Sequence, residues 1–131
     1  MNAPMTSRVF APSVTTTLDV LAAEIELAGA RCIFLDRIIG DVMDGLPEQE
    51  RDRLVQGLHA VDLLAQHLTS LSAFARGLSL AVPEDVTAPV EAALSEVTLG
   101  ALVERMAAGL GRDDALEPDA DDADPGDLDL F

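Results

Sequence analysis

Two apolar stripes, each advancing by alternating threes and fours, restrict this chain to helices packed side by side. In the first, Leu18, Leu21, Ile25, Ala28, Cys32, Leu35, Ile39, Val42 and Leu46 recur with the period of a coiled-coil seam. In the second, Leu54, Leu58, Val61, Leu64, Leu68, Leu71, Ala75 and Leu78 form one drifting face. The core available to such a chain suits them. It has no Trp, no Tyr and only four Phe, so Leu, Val, Ile and Ala must fill the seams, which favours helices over a sheet sandwich. The expected fold class is all-α.

The punctuation between the stripes sets the topology. Thr16-Thr17-Leu18-Asp19 reads as a capping box with Asp in place of Glu, opening a helix over residues 17–44. Asp44-Gly45-Leu46-Pro47 closes it, with Gly45 suited to a left-handed cap and Pro47 to the first turn of the next helix. Glu48, Glu50 and Asp52 then place negative charge where a new helix dipole favours it. So short a connection makes the two helices antiparallel neighbours, a long hairpin over residues 15–82. Residues 1–14, with Pro4 and Pro12, read as a flexible lead-in. Residues 83–111 read as two short helices, the first opened by Pro89 and the second capped by Thr98.

Leu27, Ile33, Phe34 and Ile38 widen the first stripe, and Leu63 and Phe74 the second, beyond what a single neighbour can cover. Either residues 86–110 pack across the excess, or two hairpins pair as a homodimer into a four-helix bundle. The length of the seams favours the dimer.

Charge and cysteine usage narrow the partners. The formal net charge is −16 and all eight basic residues are Arg. Nothing here would neutralise phosphates, so nucleic acid is an unsuitable ligand, as is an anionic membrane surface. Glu24, Glu26, Arg31 and Asp36 interrupt the apolar runs, so no stretch resembles a membrane span. The first residues lack the charged start and apolar run of a secretory signal, which makes the cytoplasm the expected compartment. Cys32 is alone, falls on the seam and reads as a small hydrophobe. His59 and His67 are not joined by other donors into a metal set, and no metal or cofactor of its own is expected. A phosphotransfer role for His67 is disfavoured because no Lys follows it.

The face of the second helix opposite its leucines holds His59, Asp62, Gln66, Thr69 and Ser70. Asp62 and Gln66 are four residues apart and lie one above the other. An amide aimed at a phosphoryl group orients a water for in-line attack without needing a shifted pKa. A carboxylate one turn away is placed to pair with a Lys on a docked partner. The spacing recurs at Asp52 and Gln56, but Leu54 and Leu58 put that copy near the seam.

From Asp113 onward nine acids meet no base, and residues 112–131 read as a disordered acidic tail. It ends in Asp127-Leu128-Asp129-Leu130-Phe131, apolar groups at the tip of a solvated tether and a candidate partner-binding peptide.

A helical hairpin with Asp62-Leu63-Leu64-Ala65-Gln66 on its second helix and an acidic tether resembles the CheZ family of chemotaxis phosphatases. Those proteins carry a D-x-x-x-Q pair, often Asp-Leu-Thr-Gly-Gln, on an exposed helix face of a dimeric four-helix bundle. The motif matches in its acid, its Leu and its amide; the rest of the likeness is architectural, and residues 86–110 have no clear counterpart. The resemblance implies that Gln66 positions a water on a phosphorylated response-regulator receiver holding Mg²⁺, and that Asp62 pairs with the receiver's Lys. Leu128-Asp129-Leu130-Phe131 stands where that family has a segment that binds CheY. A second reading is a non-catalytic adaptor, because Asp127-Leu128-Asp129-Leu130-Phe131 is similar to the peptide that docks on the bacterial sliding clamp, with Asp127 in place of its leading Gln.

Overall fold

The computed structural model describes residues 9–112, so the acidic tail and the peptide Asp127–Phe131 lie outside it. Its elements are α1 (Val14–Met43), α2 (Glu48–Ala81), α3 (Glu91–Ser95) and α4 (Gly100–Gly109). Among the described residues no β-strand forms; a single isolated bridge joins Ser13 and Thr87. The fold is all-α, and α1 and α2 pack antiparallel as a hairpin. The chain divides into two compact units, Leu21–Gly77 and the described parts of Met1–Val20 with Leu78–Phe131.

The unit Leu21–Gly77 is the body of the hairpin. Its connection is as short as expected: the Gly45 amide donates to the Val42 carbonyl (3.3 Å) and the Leu46 amide to that of Met43 (3.1 Å). Gly45 keeps a negative φ, since the one positive-φ glycine described is Gly111. Pro47 precedes α2 rather than entering it, and its carbonyl accepts the Arg51 amide at 2.9 Å. Glu48 and Glu50 occupy the first turn as the dipole favours.

The seam between the helices differs from the expected one by a column. On α1 from Leu21 onward the buried or half-buried positions are Ala22, Glu24, Ile25, Gly29, Cys32, Asp36, Ile39, Gly40 and Met43. On α2 as far as Gly77 they are Leu54, Val55, Leu58, Val61, Ala65, Leu68, Ser72 and Ala75. Ile25, Cys32, Ile39, Leu54, Leu58, Val61, Leu68 and Ala75 fall as expected. Leu21, Ala28, Leu35, Val42, Leu64, Leu71 and Leu78 do not; they are exposed, and Ala22, Gly29, Ala65 and Ser72 take the buried places. The physical reason is that an apolar arc wider than one contact can give only one edge to a single neighbour. The edge with small side chains lets the two backbones approach, and a Cβ built on Gly29 would stand 3.8 Å from that of Leu68.

The other unit is built around the two short helices. Val90, Leu94, Ala107 and Leu110 are buried together, with Phe10, Val20 and Met106 packed against them. Neither helix starts as expected: α3 begins after Val90 rather than at Pro89, and α4 follows Leu99, which offers no side-chain cap. The end of α4 follows the expected Gly signal. The Arg112 amide donates to the Ala107 carbonyl (2.9 Å) and the Gly111 amide to that of Ala108 (3.1 Å). This pair of bonds requires the left-handed φ of 94° that Gly111 supplies. The Arg112 guanidinium then reaches both carboxylate oxygens of Glu91 at 3.1 Å.

Residues 10–14, expected to belong to the flexible lead-in, are instead held by backbone pairing. The Val90 amide donates to the Phe10 carbonyl (3.4 Å), the Ala88 amide to that of Pro12 (3.2 Å), and the Val14 amide to that of Val86 (2.8 Å). Phe10 also packs on the core, which explains why the segment is held despite Pro12. Ser13, not Thr16, caps α1: its Oγ accepts the Thr16 amide at 3.0 Å. The Ser79 hydroxyl, 4% exposed, donates to the Thr15 carbonyl at 3.3 Å, and the Thr15 hydroxyl donates to the Val82 carbonyl at 3.3 Å. A buried polar group in this unit is thereby satisfied.

Candidate functional site

Asp62 and Gln66 both project from the middle of α2 and both are exposed. Their four-residue spacing brings them to one face because α2 runs unbroken from Glu48 to Ala81. The residues around them are consistent with an open site: Ala65 and Leu68 turn into the seam, while His59 and Thr69 are exposed. The Thr69 hydroxyl is turned back onto its own helix, donating to the Ala65 carbonyl at 2.9 Å. Asp62 and Gln66 lie roughly 160° round the helix from Leu64, on the opposite side of the seam.

On the side of the hairpin that carries Thr69 there is a shallow groove of about 330 Å³, lined by Ile25, Glu26, Gly29, Ala30, Ile33, Thr69 and Ser72. One wall is fixed by a two-point ion pair. The Arg76 guanidinium donates from Nε to Glu26 Oε2 at 3.0 Å and from Nη2 to Oε1 at 2.8 Å. The hydrogen bond from Arg76 holds the Glu26 carboxyl below the usual glutamate range, with the Arg76 charge adding to it and desolvation opposing it. No local spacing could have announced this pair, because the two residues are fifty positions apart and on different helices.

The second copy of the spacing is not separated from the first by burial. Asp52 and Gln56, expected near the seam, are exposed as well. What separates the copies is place and direction. At 100° and 1.5 Å per residue, the Asp52–Gln56 pair is turned roughly 80° round α2 from Asp62–Gln66 and lies roughly 15 Å nearer the start of the helix. It therefore faces away from the Thr69 groove, beside Gln49, Glu50 and Arg53.

His59 and His67 are exposed on α2, and Cys32 is half-buried at the seam without a disulfide partner. Among the described residues no three metal-binding side chains gather, and no helix is long and apolar enough to cross a membrane. The chemistry this surface offers is therefore an exposed amide, a carboxylate one turn before it and a neighbouring groove.

No curated protein and no solved structure matches the chain. The model of one family does match, over residues 11–131, and the chain belongs to that family, described as a domain of unknown function, DUF8776.

Proposed function

We propose that this chain acts on a phosphorylated response-regulator receiver and promotes hydrolysis of its aspartyl phosphate. The observation that carries the reading is the placement of Gln66 and Asp62 side by side on an exposed face of α2, clear of its leucine columns. In this reading Gln66 is the catalytic residue. Its amide holds a water in line with the bond between phosphorus and the receiver's aspartyl oxygen. The water oxygen bonds to phosphorus as that bond breaks, leaving a free carboxylate and inorganic phosphate. Mg²⁺ belongs to the receiver, where it balances the phosphoryl charge, so this chain needs no cofactor of its own. Asp62 pairs with a Lys of the receiver and fixes the docking.

The remaining parts fit the same reading. Asp127, Leu128, Asp129, Leu130 and Phe131 form the peptide that tethers the receiver, with the surrounding acids steering encounter. The working unit is a homodimer of hairpins in the cytoplasm. The test is direct: full-length protein added to a panel of phosphorylated receivers with Mg²⁺ should accelerate phosphate loss from at least one, and Gln66→Ala should remove that acceleration. If no receiver responds, and the isolated Asp127–Phe131 peptide instead captures the sliding clamp, the chain is an adaptor.

A further inference from the structure

Each helix of the hairpin brings one stripe of residues to the side that holds the groove. On α1 it runs Glu26, Ala30, Ile33 and Arg37; on α2, taken backwards along the chain, it runs Thr69, Gln66 and Asp62. Both stripes advance by threes and fours, so each keeps to one side of its helix. Glu26, Ala30, Ile33 and Thr69 line the groove, which puts the two stripes on the same side of the seam. Arg37 lies one turn beyond Ile33, just as Gln66 and Asp62 lie one and two turns beyond Thr69.

Two contacts across the seam set the levels. Glu26 meets Arg76, and Gly29 meets Leu68. Counting from them along antiparallel helices places Ile33 opposite residues 64–69 of α2 and Arg37 opposite residues 60–65. Arg37 therefore stands level with Asp62, one helix away, and Ile33 level with Gln66. The face thus has two crossings of arginine with acid, and they differ. Arg76 is closed onto Glu26 at 2.8 Å. Arg37 is exposed, and among the described residues no ion pair or side-chain hydrogen bond engages Arg37, Asp62 or Gln66. Asp41, four residues after Arg37 on its own helix, does not capture it either.

We propose that Arg37 is a further catalytic residue of this site, its guanidinium contacting oxygens of the phosphoryl group on which Gln66 acts. The inference rests on the proposed role of Gln66 and extends the site from one helix to both. Charge is the reason. A phosphoryl group brings roughly two negative charges at neutral pH, Asp62 adds another, and the chain carries −16. Without a local cation this face would repel the group it has to receive. Arg37 is the arginine at the level of Asp62 and Gln66, and no described acid engages it. Its planar fork of N–H donors also bonds two phosphoryl oxygens at once. Arg37 moves no proton in the step. It offsets negative charge on the phosphoryl oxygens while the bond from phosphorus to the receiver's aspartyl oxygen breaks. The same contact makes the surface prefer a phosphorylated receiver to a bare one.

The test uses the full chain and the panel of phosphorylated receivers with Mg²⁺. On a receiver that wild type dephosphorylates, Arg37→Gln should lower the rate constant on the order of 30-fold at saturating protein. That is less than the roughly 10³-fold of an arginine finger, because the receiver's Mg²⁺ shares the charge. Arg37→Lys should recover part of the loss, since it keeps the charge without the fork. Affinity separates contact with the phosphoryl group from mere support of Asp62. Wild type should bind a receiver loaded with beryllium fluoride, a phosphoryl mimic, about 10-fold tighter than the unloaded one, and Arg37→Gln should bring the two close to equal. In an Asp62→Asn background Arg37→Gln should lower the rate by the same factor again. Helical circular dichroism should persist, as Arg37 is exposed; should it not, Arg37→Met is read instead, with the same loss expected. A wild-type rate for Arg37→Gln, equal loss of affinity for loaded and unloaded receiver, or no further loss beside Asp62→Asn would each overturn the assignment. If Gln66→Ala is inactive and Arg37→Gln is not, Arg37 alone falls; if wild type speeds no receiver, both assignments fall.

Discussion

Gly29 of α1 faces Leu68 of α2, so closely that a Cβ added to the glycine would lie 3.8 Å from the leucine Cβ. That is ordinary contact, and the position is inside a thirty-residue helix. Gly29→Ala should therefore stabilise the hairpin by up to about 1 kcal/mol, through helix propensity, without pushing α2 away. Gly29→Leu should do the reverse, because a branched side chain at this contact separates the backbones. Thermal melts of the two variants would show opposite shifts; a fall for both would mean that even one methyl group is too much.

That contact also explains which half of the seam is legible in the sequence. Periodicity locates both helices, because threes and fours sustained from Leu18 to Leu46 and from Leu54 to Leu78 have no other explanation. It cannot choose between the columns of Leu64 and Ala65, since both are apolar and adjacent in the chain. Ranking by hydrophobicity selects Leu64, whereas close approach of two backbones selects Ala65. Thr16 and Asp19 offer a familiar capping pattern that masks Ser13, and the prolines around Phe10 disguise it as part of a loose segment. The pairing of residues 10–14 with 86–90 is long-range and leaves no local trace. Asp62 and Gln66 are legible as a face, since that needs only the helix period.

Gly109 is tighter against its neighbour than Gly29 is. A Cβ there would come within 3.0 Å of Val20 Cγ2 and 3.5 Å of Cγ1. Valine has little rotamer freedom with which to yield inside a helix. Gly109→Ala should thus lower stability by about 1–2 kcal/mol despite the better helix former. Val20→Ala should cost stability alone but relieve the clash, so the double variant should be less unstable than the two losses added together. Strict additivity in chemical denaturation would show that Val20 is not the obstacle.

The Glu26–Arg76 pair sets a pH dependence. Glu26 is held below its ordinary pKa by the Arg76 hydrogen bond. A carboxyl lowered in the folded state contributes stability that is present above the unfolded glutamate pKa and is lost as pH falls through the lower folded one. The whole chain complicates a simple titration, because acid also relieves the repulsion of a net charge of −16. Comparing wild type with Glu26→Gln removes that shared background. The melting difference should be small at neutral pH, as both side chains are about half exposed, and should vanish as the pH falls below the ordinary glutamate range. A gap that stays constant across the range would mean that the pair contributes nothing linked to protonation.

The two copies of the acid–amide spacing give the catalytic reading its sharpest test. Gln66 and Gln56 are both exposed amides on α2, four residues after an aspartate. Removing either should barely change folding, since an exposed side chain that buries nothing contributes little. If the direction of the pair matters, their effects on a responsive receiver must differ. Gln66→Ala should lower the rate constant for phosphate loss on the order of 100-fold at saturating protein while leaving receiver affinity nearly unchanged, because a water-orienting amide acts chiefly in the transition state. Asp62→Asn should raise the concentration needed for half-maximal acceleration, because a lost ion pair weakens the docked complex as a whole. Gln56→Ala should match wild type in both respects, since that pair is turned roughly 80° away round the helix. The measurement is the decay of phosphorylated receiver at several concentrations of each variant. Equal losses from Gln66→Ala and Gln56→Ala would indicate a general docking surface, and full activity of Gln66→Ala would end its assignment as the catalytic residue.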